Sequence, residues 1–207
     1  MTPVQAAHRP GLAWLALSAL LAAGSLVAWV LPTPGLDWQP ALAWPQPWRA
    51  FSAVWVHWSP LHLGANLLAA AVVAAYGWAA RVPLRAALAY AAAWPLTHLG
   101  LLLRPELAHY GGLSGVLHAG VAVVSLWLLV TARGAWRAIG AAVMLGLVVK
   151  LASETPWGPA LQASADWDIA VVPLAHTTGG LAGLLCAAVA LAWRPAESAS
   201  PAPGMRH

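Results

Sequence analysis

Residues 111–120 read GGLSGVLHAG, a serine and a histidine four positions apart between glycines, in a chain that is otherwise almost entirely apolar. Of its 207 residues, 61% are hydrophobic and 8% charged, and its mean hydropathy is +0.71. Soluble domains carry about a quarter charged residues, so the stretch opens a membrane-spanning helix and the chain is an all-α polytopic membrane protein. The net charge of +4 does not point to nucleic acid, because charges are few and form no basic stripe. The single cysteine, Cys186, sits in an apolar run and excludes an internal disulfide or a Cys-based metal site. No metal and no cofactor is expected.

Working outward from that stretch, six apolar segments approach the ~20 helical residues that cross a hydrocarbon core: 12–31, 61–80, 84–103, 112–130, 135–152 and 172–193. The first could pass for a signal peptide, but Trp29 and the LPTPG that follows provide no small-residue cleavage site. The expected organisation is a cytoplasmic segment 1–11, a six-span domain 12–193, and a Pro/Ala/Ser-rich tail 194–207 that is disordered and cytoplasmic. With the N-terminus inside, Arg9, Arg81, Arg85, Arg133, Arg137, Arg194 and Arg206 face the cytoplasm, against Arg49, Arg104 and Lys150 outside. This asymmetry predicts both termini cytoplasmic. The two long connections, 32–60 and 153–171, then lie on the outer face, where structured loops carry function.

Ionisable and polar groups in spans are costly and mark function by default. No Asp or Glu lies within the six cores, which removes intramembrane aspartyl chemistry and HExxH zinc chemistry. What remains is histidine, serine and asparagine. In HWSPLHLGAN (57–66), Ser59-Pro60 reads as an N-cap and first helical residue, leaving His57 just outside; His62 and Asn66 share one face a turn apart. They serve either as polar glue between helices or as two donors aimed at one point. Around Ser114, the pattern Gly111-xxx-Gly115-xxx-Ala119 is either a packing seam or, with Gly112, a sharp turn that exposes a nucleophile. In AHTTGGLAG (175–183), Gly179 and Gly183 form a GxxxG face with His176 one turn earlier, a satisfied core donor or a base. All three sets fall near the outer ends of spans two, four and six, at similar depth.

These residues together resemble the rhomboid family of intramembrane serine proteases. Trp48-Arg49 in the first outer loop, HxxxxHxxxN over 57–66, GxSG at 112–115 and HxxGxxxG from His176 through Gly179 to Gly183 match its motifs in order. The resemblance implies a six-helix rhomboid-like bundle with Ser114 as nucleophile and His176 as general base, a dyad without an acidic third member. It also implies an oxyanion hole of His62, Asn66 and the Ser114 backbone N–H. The segment YGGLSGVLHAG is similar to the rhombosortase branch, whose GLSGxLHG motif differs here at Ala119. That branch implies a bacterial inner-membrane enzyme opening to the periplasmic or outer side. Its substrates are exported proteins with a Gly-Gly-containing C-terminal anchor.

The chemistry suits these residue types. A serine hydroxyl needs an adjacent base, and a tetrahedral oxyanion needs preset donors worth ~3–4 kcal/mol each. His118 competes with His176 as base, because i and i+4 side chains meet easily. A base must also reach the leaving amine, which favours a histidine across a cleft and leaves His118 to orient Ser114, to satisfy a neighbouring span, or to act as polar glue in the core. Three other functions stand beside the rhombosortase reading: an ordinary rhomboid cutting other single-span proteins, an inactive rhomboid-like helix binder, and a six-span transporter. The transporter is weakened by the lack of a broken-helix repeat.

Overall fold

The computed structural model describes residues 10–31 and 34–193, so the expected tail 194–207 and nearly all of the expected segment 1–11 lie outside the described residues. Among the described residues there are seven α-helices: α1 Leu12–Val30, the short α2 Arg49–Ser52, α3 Pro60–Ala79, α4 Leu84–Leu99, α5 Ser114–Thr131, α6 Gly134–Ser153 and α7 Pro173–Ala192. All but α2 are long and apolar enough to cross a membrane, α4 being continued by a tighter turn over Gly100–Leu103. These spans agree with the expected ones to within two residues at each end.

Local chemistry sets the helix starts. Ser59 is extended and its Oγ accepts a hydrogen bond from the His62 N–H at 3.0 Å, while Pro60 occupies the first turn, where no N–H is needed. Pro173 opens α7 in the same way. Gly112 turns the chain into α5 with φ +135°, a backbone state that L-residues rarely adopt, and a Cβ there would meet His62 Nε2 at 2.8 Å.

The bundle is built around α5. Over an 18-residue window, 61% of α5 is buried, against 22% for α1 and 11% for α6. Its tightest neighbour is α7. A Cβ on Gly179 would lie 1.9 Å from the Gly115 carbonyl oxygen, and one on Gly183 would lie 2.4 Å from that of Ala119. Only hydrogen at these positions lets the two backbones touch, which is how small-residue seams hold helices without a hydrophobic driving force. On the other side, Trp14 of α1 stacks on Tyr90 of α4 at 4.7 Å and donates to the Val73 carbonyl of α3 at 2.9 Å.

Hydrogen bonds tie the described residues of both long connections to the bundle. In the first, Trp38 and Tyr110 exchange backbone hydrogen bonds of 2.7 and 2.8 Å. The nearly buried Arg49 donates to Asp37 through its carbonyl at 2.7 Å and its Oδ1 at 3.0 Å. His109 donates to the other carboxylate oxygen at 2.6 Å. Burial alone raises the Asp37 carboxyl, but hydrogen bonds from His109 and Gln39 and the Arg49 charge outweigh it and leave Asp37 below its ordinary value. In the second connection, Gln162 pairs with Val171 and Asp168 accepts from the Ser59 hydroxyl at 2.7 Å.

Candidate active site

Ser114 is the first residue of α5, so its N–H has no partner within the helix. Across the seam, His176 sits in the first turn of α7, with Nε2 2.9 Å from Ser114 Oγ. The contact joins residues 62 positions apart and follows from the glycines that bring α5 and α7 together. His118 does not compete for that hydroxyl. Its Nδ1 donates to the Ser114 carbonyl oxygen at 2.7 Å, and its ring lies parallel to His176, with centroids 4.3 Å apart and planes 16° apart.

On the facing wall, α3 contributes His62 and Asn66, both buried. They line the same cavity of about 390 Å³ as Ser114, His118 and His176. Asn66 Nδ2 donates one hydrogen bond back to the His62 carbonyl at 3.0 Å, which leaves its second N–H for the cavity. His62 Nδ1 is buried without a partner. His57 packs on His62 with ring centroids 4.7 Å apart and donates from Nδ1 to the Trp55 carbonyl; burial lowers its tendency to protonate. Trp167, from the connection before α7, stands edge-on to His62 at 6.5 Å and lines the cavity together with Ile169 and Trp58.

A family model described as Rhomboid domain matches residues 45–193, from the loop after α1 to the end of α7. The chain belongs to the rhomboid family. Rhomboids are intramembrane serine proteases that act on transmembrane substrates within the bilayer, and this rhomboid is accordingly a multi-pass membrane protein. No match is found among curated proteins.

Of the residues singled out in sequence, Ser114, His176, His62, Asn66 and His118 converge on one cavity of the rhomboid, with His57 packed behind His62. Gly112, Gly115, Gly179 and Gly183 shape its approach. Arg49 and Trp48 do not line it: Arg49 is built into the loop between α1 and α3, and Trp48 is half exposed. A cavity residue in contact with His176 escaped the sequence reading. Glu154, which caps the end of α6, accepts from His176 Nδ1 at 2.7 Å, so the histidine expected to act without an acid has a carboxylate on its far nitrogen. The only signal in the sequence was the Lys150/Glu154 spacing of one helical turn, which predicts an ion pair and says nothing of residue 176.

Proposed function

We propose that this rhomboid hydrolyses a peptide bond at the outer end of a substrate transmembrane helix, with Ser114 as nucleophile and His176 as general base. The 2.9 Å approach of His176 Nε2 to Ser114 Oγ supports this reading above all else. As Oγ attacks the carbonyl carbon, its proton passes to Nε2; Nε2–H then protonates the leaving amine as the C–N bond breaks. Water attacks the resulting acyl ester by the same exchange, regenerating the serine. The oxyanion is held by the Ser114 N–H at the α5 N-terminus, the free N–H of Asn66 and His62, a set favoured further by the positive end of the helix. Glycine-rich substrate segments unwind at low cost and expose the bond to be cut.

The substrates proposed are exported proteins with a Gly-Gly-containing C-terminal anchor, as in the rhombosortase branch. The YGGLSGVLHAG segment supports this. Ala119, where that branch carries glycine, favours the ordinary rhomboid as a second reading. The resemblance of the YGGLSGVLHAG segment to that branch supports a bacterial inner-membrane location, and the Lys/Arg asymmetry supports both termini cytoplasmic with the cavity opening outward. The test is Ser114-dependent labelling of the inserted protein by a fluorophosphonate, together with cleavage of a Gly-Gly-tailed reporter. Ser114→Ala and His176→Ala are each expected to lower cleavage at least ~10³-fold. Absence of Ser114-dependent labelling overturns the enzyme reading, and equal cleavage of a reporter lacking Gly-Gly overturns the branch.

A further inference from the structure

The cavity holds a charged pair that the proposed reaction does not use. Glu154 stands one residue beyond the last turn of α6. Its Oε1 pairs with the Lys150 ammonium one turn earlier, and its Oε2 lies 2.7 Å from His176 Nδ1. A pair at this spacing on an exposed helix end contributes little by itself. This one reaches inward to a side chain only 13% exposed. Burial alone raises the Glu154 carboxyl, but the hydrogen bond and charge of His176 and those of Lys150 outweigh it and lower it to about 2, so it is a carboxylate at neutral pH.

We propose that Glu154 is a positioning residue for His176, making the site a Ser114–His176–Glu154 relay in which Lys150 moderates the carboxylate. A carboxylate only accepts hydrogen bonds. The proton between the two groups therefore resides on Nδ1, and the neutral ring presents its Nε2 lone pair to the Ser114 hydroxyl. The same carboxylate stabilises the imidazolium that forms as Oγ attacks, while the Nδ1 proton stays in place. The remaining surroundings offer no substitute. His118 stacks on the ring from α5 and is turned to the Ser114 carbonyl. His62 approaches from α3, with Asp168 of the outer connection held by Ser59, and His98 of α4 is turned to the Ala50 carbonyl. Glu154 is thus the acid in contact with the base.

This rests on the reading of Ser114 and His176 as nucleophile and base, and the experiment separates the two. Reporter cleavage is measured against pH for the full chain in detergent, as kcat and KM, for the unsubstituted protein and for Glu154→Gln, Glu154→Asp and Lys150→Met. Glu154→Gln is expected to lower kcat about 10- to 1,000-fold with KM nearly unchanged, less than the ~10⁴-fold lost when the triad aspartate becomes an amide. Its acid limb moves to lower pH, because the negative charge beside the base is gone. Lys150→Met leaves that charge uncompensated and moves the limb the opposite way, and Glu154→Asp recovers part of kcat. If Glu154→Gln does not fold, the other two variants decide. An acid limb unmoved in Lys150→Met, or a folded Glu154→Gln with kcat within twofold and an unmoved limb, overturns the relay. An unsubstituted protein without Ser114-dependent activity overturns instead the protease reading on which it rests.

Discussion

Helices α5 and α6 are consecutive, joined by a two-residue turn, and similar in length and apolarity, yet they do opposite work. α5 is the most enclosed span and carries Ser114 and His118; α6 is the least enclosed, meeting lipid over most of its surface. Its contribution to the site is confined to its C-terminal end, where Lys150 and Glu154 reach the cavity. A helix can therefore belong to the candidate site through its last turn alone. Apolarity does not separate the two roles, but the depth to which neighbours enclose each helix does.

Matched glycine substitutions break this contrast most sharply. Gly179→Ala puts a methyl 1.9 Å from the Gly115 carbonyl oxygen, so the α5–α7 seam must open and carry His176 away from Ser114. A loss of about 3 kcal/mol or more is expected, at the upper end of overpacking costs, with reporter cleavage abolished. Gly146→Ala on α6 meets nothing within 4 Å and is expected to cost nothing, or to gain up to about 1 kcal/mol through helix propensity. Denaturant titration in detergent compares the two. Equal losses would mean that α6 is packed as closely as α5.

A smaller effect is expected within α5. His118→Ala removes the ring stacked on His176, an interaction of about 0.5–1.5 kcal/mol for ring pairs, and is expected to lower reporter cleavage up to about tenfold while leaving it measurable. His118→Phe keeps a ring but drops the hydrogen bond to the Ser114 carbonyl. Recovery by Phe assigns the effect to stacking, and failure to recover assigns it to the hydrogen bond. The smallest effect returns to α6. The Glu154 carboxyl lies at about 2 in the folded chain, below the ~4.3 of a free glutamate. Its stabilising contribution is thus complete above about pH 4.3 and is lost as pH falls towards 2. Between pH 7 and pH 3, thermal unfolding in detergent should drop further for the unsubstituted protein than for Glu154→Gln.

Most of the fold is legible in the sequence because each span announces itself by local means: an apolar run of the right length, Ser59-Pro60 at one helix start and Pro173 at another. The histidines, Asn66 and Ser114 were legible because a polar group in hydrocarbon needs a reason to be there. Glu154 was not, because it stands just outside its span, where an acid is unremarked. Its pairing with His176 depends on how the ends of α6 and α7 meet, which no local pattern records. The same holds for Arg49, whose place beside Asp37 depends on the path of the loop between them. Asn66 was expected as a donor to the cavity, and one of its N–H groups turns back to the His62 carbonyl, a choice made by helix geometry after burial.

Ser59 caps α3 and also holds the connection that lines one side of the cavity, with the two halves of its hydroxyl used separately. The oxygen lone pair receives the His62 N–H, and the proton goes to Asp168. The two contacts are thus chemically independent: in Asp168→Ala the Ser59 hydroxyl proton would pass to another acceptor while the helix end bearing His62 and Asn66 keeps its cap.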